Sequence, residues 1–224
     1  MPQRKEAQMS RYCIMRFSKL KSLTALNMVE FHAKNRERLV HRKHRERGVK
    51  FFNSKHYDKD STIVQRFKKL TEGVKIRKNA VYALEFVFAF SPEAEGTFDL
   101  IEWLKANIRW LSDNFGGPQN IIHFRADFDE STPHNHAILV PLDESDGERR
   151  LSARRYVNGK VALSKLQTSY AEYMAEFGLE RGKSFIESLE LPTRRHKSLA
   201  QYWKESYEKL KTEVKTIHDN IFEK

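Results

Sequence analysis

Residues 127 to 136 read Asp127-Phe128-Asp129-Glu130-Ser131-Thr132-Pro133-His134-Asn135-His136. The polar stretch Ser131-Thr132-Pro133 separates two alternating apolar runs, 120–128 and 134–142, and this pattern predicts a β-hairpin. Side chains alternate along a strand, so His123, Arg125 and Asp127 share one face of the first run. His134, His136, Ile138 and Val140 share one face of the second. The turn can then bring Asp127 beside the histidine pair. Neutral imidazoles two residues apart on a strand point the same way and are good ligands for a divalent ion. Two histidines with one carboxylate leave coordination positions open, as a Lewis-acid site requires. Asp129 and Glu130 lie in the turn, where they can satisfy backbone amides, orient a ligand or serve as a general base.

Working outward, a hairpin cannot be parallel, so the sheet that holds it is expected to be antiparallel. Upstream, 12–17 alternates as a strand, and the basic turn Ser18-Lys19-Leu20-Lys21 follows. Ser22 or Thr24 caps a helix that runs through Val29, Phe31 and His32 toward Arg47. The stretch 51–74 reads as a strand or loop and then a short helix with Ile63, Phe67 and Leu70 on one face. The dense apolar run 80–90 suits a central strand ended by Ser91-Pro92, and 98–115 carries Leu100, Ile101, Leu104, Ile108 and Leu111 at helical spacing before Gly116-Gly117-Pro118. Downstream, the basic stretch 149–160 leads into a helix at 164–177 that stops at Gly178. The order gives an α+β fold, a central antiparallel β-sheet flanked by helices.

Trp203, Tyr207, Leu210, Val214, Ile217 and Ile221 step by four and three, a heptad seam with charged residues between them. We expect a domain at 11–197 and a C-terminal helix at 198–224, which either packs on its own domain or forms a homodimer. The seam is still in phase at Lys224, from which we expect a catalytic fragment of a longer protein.

The 224 residues carry 41 Lys+Arg against 30 Asp+Glu, and with 39% hydrophobic residues the chain can still build a core. Collagen, coiled-coil rods and disulfide scaffolds are excluded; the single cysteine, Cys13, cannot form an internal disulfide. The N-terminus lacks an apolar signal core, and no apolar run approaches the roughly 20 residues needed to cross a bilayer, so a cytoplasmic protein is expected. The positive charge is uneven. Residues 1–78 hold 22 Lys+Arg and 7 Asp+Glu, and the remainder is net acidic. Such an asymmetry is the footprint of a nucleic-acid partner. From 34 to 50 the only sizeable aliphatics are Leu39, Val40 and Val49, too few for a membrane-lying helix.

The run 129–136, Asp-Glu-Ser-Thr-Pro-His-x-His, resembles the third motif of the plasmid mobilisation and recombination (Mob/Pre, MobV-type) relaxases of the HUH endonuclease superfamily. Met15-Arg16, Lys19 to Ser22 and Ala25-Leu26 leading to His32 resemble that family's opening strand and first helix. Arg77-Lys78-Asn79-Ala80, Glu85, Leu151-Ser152 and Leu179-Glu180-Arg181-Gly182 also fit, so the resemblance runs from about 11 to 200. It implies an enzyme that nicks and rejoins one DNA strand at a transfer origin by metal-assisted transesterification. The enzyme is left joined to the 5′ phosphate, and conjugative mobilisation follows. The implied partners are single-stranded and hairpin DNA and a bacterial coupling or secretion machinery. The implied cofactor is Mn²⁺ or Mg²⁺, and an Asp-His-His set favours Mn²⁺ on ligand softness.

The position matching the family's nucleophilic histidine is His32, with Tyr12 the runner-up. The family spacing His-x-x-Arg is here one residue longer, His32 to Arg36, and on a helix both spacings keep the two side chains on one face. The metal ligands implied are Asp127, His134 and His136, with Glu130 and Glu85 in the catalytic set. The family has histidine where this chain has Asp127, and His123 is the in-phase alternative ligand. The polar Asn135 between the two histidines predicts an edge strand less buried on its other face. Arg16, Lys19, Lys21, Arg77, Lys78, Arg154 and Arg155 are the DNA-binding candidates, and His41 and His44 suit phosphate contacts. Phe17, Phe51, Phe52 and Tyr156 could stack on unpaired bases. The rival readings are a noncatalytic origin- or hairpin-binding protein and a tyrosine-type replication initiator of the same superfamily. On the charge argument alone, affinity for a DNA oligonucleotide falls steeply as salt rises in a fluorescence-anisotropy titration; a flat response would remove that argument.

Overall fold

The computed structural model describes residues 10–35, 44–52 and 55–182, together with Lys204, Tyr207, Glu208, Lys211 and Thr212. The chain divides into two compact units, Met1–Ser184 and Phe185–Lys224. In the second, the five described residues are helical, and the Thr212 hydroxyl donates to the Glu208 carbonyl at 2.9 Å. The rest of the expected heptad helix lies outside the described residues.

The first unit is built on a six-stranded sheet of order β2-β4-β5-β3-β1-β8. Its strands are β1 (Tyr12–Leu20), β2 (Val49–Phe51), β3 (Ala83–Phe90), β4 (Ile121–Asp127), β5 (His134–Leu139) and β8 (Glu180–Arg181). β6 (Leu142–Asp143) and β7 (Arg150–Leu151) form a separate antiparallel pair. All neighbours in the large sheet are antiparallel except β8, which runs parallel to β1. One parallel edge therefore makes the α+β sheet mixed.

Helices close over both faces. On one lie α3 (Leu100–Asn114) and, after the single-turn α4 (Ala153–Tyr156), α5 (Gly159–Met174), which pack on Phe86, Phe88, Phe90, Phe124 and Ala137 through Trp103, Trp110 and Tyr170. The rings meet mostly edge to face, as Phe88 and Trp110 do at 5.8 Å, the arrangement that ring quadrupoles favour. On the other face, α1 (Leu23–Lys34) and α2 (Ile63–Leu70) bury Leu26, Ile63 and Phe67 against Leu20, Ile122, Ile138 and Val140. This core is smaller and covers only part of its face. On β5, Ile138 is fully buried while His136 and His134, farther up the same face, stay 21% and 15% exposed.

Local chemistry sets the helix ends. Ser22 caps α1, its hydroxyl accepting from the Ala25 N–H at 3.1 Å, and Thr62 and Gln65 form a reciprocal capping box at the start of α2. The Asp99 carboxylate takes the Ile101 and Glu102 amides at the start of α3. At Gly178, φ is 67°, and the turn that ends the helical run needs a residue without Cβ strain. α1 ends at Lys34, where the Asn35 N–H and amide both donate to the Phe31 carbonyl; it is shorter than the helix expected to run toward Arg47. α5 starts at Gly159, ahead of the expected 164.

The structure corrects one expectation. β5 is not an edge strand: it sits between β4 and β3, and Asn135 is fully buried. Neither amide atom of Asn135 has a hydrogen-bond partner among the described residues. Burying an unpaired amide costs about 1–3 kcal/mol. Asn135→Val is therefore expected to raise the midpoint of thermal unfolding by roughly 2–12 °C, taking about 2–4 °C per kcal/mol for a chain of this size. A fall in the calorimetric midpoint would show that the amide contributes to stability.

Candidate functional site

The β4–β5 register pairs Asp127 with His134 and Arg125 with His136. Opposed residues in an antiparallel pair share a face, so the four side chains meet at one end of the surface that α1 and α2 leave uncovered. Ligand atoms of Asp127, His134 and His136 all lie within 4.8 Å of one another, which makes this the one metal-type cluster among the described residues. The Asp127 Oδ2 is 3.6 Å from His134 Nε2 and 3.7 Å from His136 Nε2. Two imidazole nitrogens and a carboxylate oxygen facing a common point fit a borderline divalent ion such as Mn²⁺.

Each ligand is held by a second group. The Thr132 carbonyl lies 3.0 Å from His134 Nδ1; with the proton on Nδ1, Nε2 keeps its lone pair toward the cluster. Glu85 faces His136 Nδ1 at 3.5 Å and accepts from the Ser18 hydroxyl at 3.3 Å. Its carboxyl is held below the usual carboxylate range, first by hydrogen bonding toward His136 and against the burial that pushes it up; the charges of His136 and Arg125 and the Ser18 hydroxyl add to the lowering. Glu130 Oε2 is 3.8 Å from His134 Nε2. The buried Asp129 anchors the turn, and its carbonyl accepts from the His44 N–H at 2.9 Å.

Strand alternation puts Arg125 on the face of Asp127. It sits two residues before Asp127 on the same strand face, and its Nε and Nη2 grip the two carboxylate oxygens at 2.8 and 2.9 Å in a buried bidentate pair. That spacing was the available signal. Ser18 has no such signal, because it reaches Glu85 only through the pairing of β1 with β3, whereas the Thr132 carbonyl is a local turn contact two residues from His134.

His123 does not join the cluster. A β-bulge between Ile121 and His123 lets Ile122 and His123 share the α1/α2 face, and His123 lines a separate cavity. Burial, then the charges of Arg125 and Arg66, depress its pKa to about 3, so the ring is neutral.

His32 is exposed in the last turn of α1, edge-on to Phe31 at 6.2 Å. Its neighbours Ala33 and Lys34 line the His123 cavity, so this end of α1 reaches β4 on the cluster's face. Arg36 and His41 lie outside the described residues. Tyr12 is 40% exposed at the start of β1, on the Arg16 and Ser18 side by alternation.

The basic candidates separate by face. Arg16 is exposed and, by its pairing with Val87 opposite His136, lies on the cluster's face. Lys19 alternates onto the other face, with Met15 and Phe17, and Lys21 is exposed before α1. Arg77, Arg154 and Arg155 line one cavity of about 380 Å³ with Lys75 and Arg150, and Lys78 is exposed next to Arg77 in the chain. Arg150 pairs with the buried Asp143 at 3.5 Å; the other four cations lining the cavity make no ion pair among the described residues. Unpaired cations from two separate chain segments suit a polyanion backbone.

The family profile for plasmid recombination enzymes matches residues 9–205. Among curated relatives, the 65 kDa protein of Zymomonas mobilis is 30% identical over 193 residues, 84% of this chain and 32% of the relative. Plasmid recombination enzyme type 1 of Staphylococcus aureus is 32% identical over 161 residues, 69% of this chain and 37% of the relative. The type 3 enzyme of that species is 28% identical, covering 85% of this chain and 47% of the relative. The chain thus spans less than half the length of these relatives. Of solved structures, the Mn-bound MobM relaxase domain with plasmid pMV158 oriT DNA matches with a TM-score of 0.69 at 22% identity, over 86% of this chain and 98% of that one. No helix among the described residues is long and apolar enough to cross a membrane.

The buried pair generates a stability test. Arg125→Met leaves the Asp127 charge without its partner and is expected to destabilise the protein by about 3–5 kcal/mol in urea titrations. Arg125→Met with Asp127→Asn is expected to recover part of the loss, and strict additivity in the double-mutant cycle would deny the coupling.

Proposed function

Because the chain belongs to the plasmid recombination enzyme family, we propose that it carries the catalytic domain of a relaxase. It would nick and rejoin one strand at the transfer origin of a plasmid or mobile element. The observation that carries the reading is the Asp127, His134 and His136 cluster, within 4.8 Å, on the sheet face crossed by the His32 helix. The relaxase domain of similar fold binds oriT DNA with manganese, which is the chemistry this donor set suits. A bound Mn²⁺ or Mg²⁺ supplies Lewis-acid polarisation of a non-bridging phosphate oxygen.

The residues then divide the work. Arg16 and Arg36, the latter four residues after His32 in the sequence, hold the strand by its phosphates. A neutral ring nitrogen of His32 attacks the scissile phosphorus, the N–P bond forms and the P–O3′ bond breaks. The proton from the other ring nitrogen ends on the departing 3′ oxygen, and Glu130 is assigned that relay. Rejoining reverses the sequence, so no oxidant, reductant or external energy source is required. Glu85 orients His136, and its replacement by Gln is expected to cost about 10- to 100-fold in metal affinity or rate. The cavity of Arg77, Arg154 and Arg155 engages backbone away from the cut.

Tyr12 is the second reading for the nucleophile, favoured by its exposure and its place on the cluster's face. The deciding experiment incubates the protein with a single-stranded oligonucleotide carrying its own element's origin and hairpin, in Mn²⁺ or EDTA, on a denaturing gel. Wild type is expected to give a metal-dependent cut and a protein-linked fragment, lost in His32→Phe and in His136→Ala. A fragment that survives His32→Phe and vanishes in Tyr12→Phe moves the attack to tyrosine. Binding without any cut, on DNA that holds the cognate site, leaves a noncatalytic origin binder.

A further inference from the structure

A second cavity opens on the same sheet face, apart from the metal-type cluster. It holds about 320 Å³ between the end of α1, the start of α2 and the β2/β4 edge, a volume at the lower end of ligand pockets. His123, which lines it, is four residues along β4 from Asp127, about 13 Å at strand rise and so within a few nucleotides of a phosphate held at the cluster.

Its walls suit a flat aromatic ligand. Phe51 is 54% exposed, with its ring centroid 6.1 Å from that of His123. Phe52 is fixed edge-on against Phe124 at 5.4 Å. The Nε2 of His123 is buried and has no hydrogen-bond partner among the described residues. The bulge in β4 creates this arrangement. It spends its extra residue on Ile122, which fills the core under α2, and leaves His123 to the cavity.

A phosphate would find little here. Arg66 is committed: Nε donates to the Ser61 hydroxyl at 2.9 Å, Nη1 to the Ile122 carbonyl at 3.0 Å, and Nη2 to the Asp58 and Lys59 carbonyls at 3.1 and 3.3 Å. It fixes the wall and offers no fork to an anion. Lys34 is held by Glu30 at 2.7 Å, while Lys59 makes no ion pair among the described residues and can meet the backbone of a bound strand at the rim.

We propose that this cavity takes one unpaired nucleobase of the DNA strand, stacked on Phe51 with its polar edge toward His123. The inference rests on the strand-nicking reading and adds a recognition subsite to it. A purine or pyrimidine matches the lining, with apolar faces for the rings and a hydrogen-bonding edge for a neutral imidazole. Phe51 then sets part of the affinity that depends on bases and none of the part that depends on phosphates.

The test compares wild type, Phe51→Ala and Phe51→Tyr by fluorescence anisotropy, with thermal unfolding run on each to establish that it is folded. The probes are an oligothymidylate and an abasic deoxyribose-phosphate chain of the same length and label. Phe51→Ala is expected to weaken oligothymidylate binding about fivefold or more while abasic binding is unchanged, and Phe51→Tyr, which keeps the ring face, restores it. Equal weakening of both probes, or of neither, overturns the proposal. A third arm adds thymidine monophosphate. Mononucleotide binding that needs Phe51, beside strand binding that does not, would assign the cavity to a free nucleotide and overturn the strand reading. If wild type binds neither oligonucleotide, the DNA reading itself fails, and this inference with it.

Discussion

The bidentate grip of Arg125 on Asp127 is the interaction around which the site is arranged. A carboxylate taken wholly out of water is costly unless a partner neutralises it and its lone pairs are filled. Arg125 neutralises it from the same strand and takes one lone pair on each oxygen, which leaves acceptor capacity on the carboxylate for the cluster. The geometry holds only while β4 keeps its register with β5, because a slip of one residue would send Asp127 and Arg125 into the aromatic core. That core of Phe86, Phe88, Trp103 and Trp110 has no room for a charge. The larger hydrophobic layer thus enforces the alignment of the polar one on the opposite face.

A layered division of labour follows. α3 and α5 bury the large aromatic side chains on their side of the sheet, whereas α1 and α2 cover only part of the other. Positive charge concentrates in the first third of the chain, which supplies β1, α1 and α2. β4 and β5 put the ionisable cluster on the half-covered face, and β1 adds Arg16 to it.

The strongly periodic parts were legible from the amino acids alone. The turn Ser131-Thr132-Pro133, the apolar run of β3 and the heptad-like spacing of α3 each define an element by its repeat. The resemblance places Glu85 in the catalytic set, which no periodicity does, and its contact with His136 comes from the pairing of β3 with β5. What stayed hidden has physical reasons. Asn135 reads as a surface residue because its amide is polar, yet β5 is flanked on both sides and the residue is buried. His123 is in phase with Asp127 by alternation, but the cluster meets at the turn end of the hairpin and His123 lies farther down β4, beside a bulge that one sequence does not announce. Ser18 reaches Glu85 only because β1 pairs with β3. Partners of that kind are set by topology.

The edges of the sheet carry a last consequence. β2 has three residues and enters from Gly48 at φ 67°, and β8 has two. Neither presents a long flat row of unpaired amides and carbonyls, the template on which another chain could add a strand. β8 covers β1 only at Tyr12 and Cys13, however, so among the described residues 14–20 have no strand partner on that side. Along that stretch Arg16 and Lys19 are exposed, and charged side chains of this kind are what discourages another chain from adding a strand there.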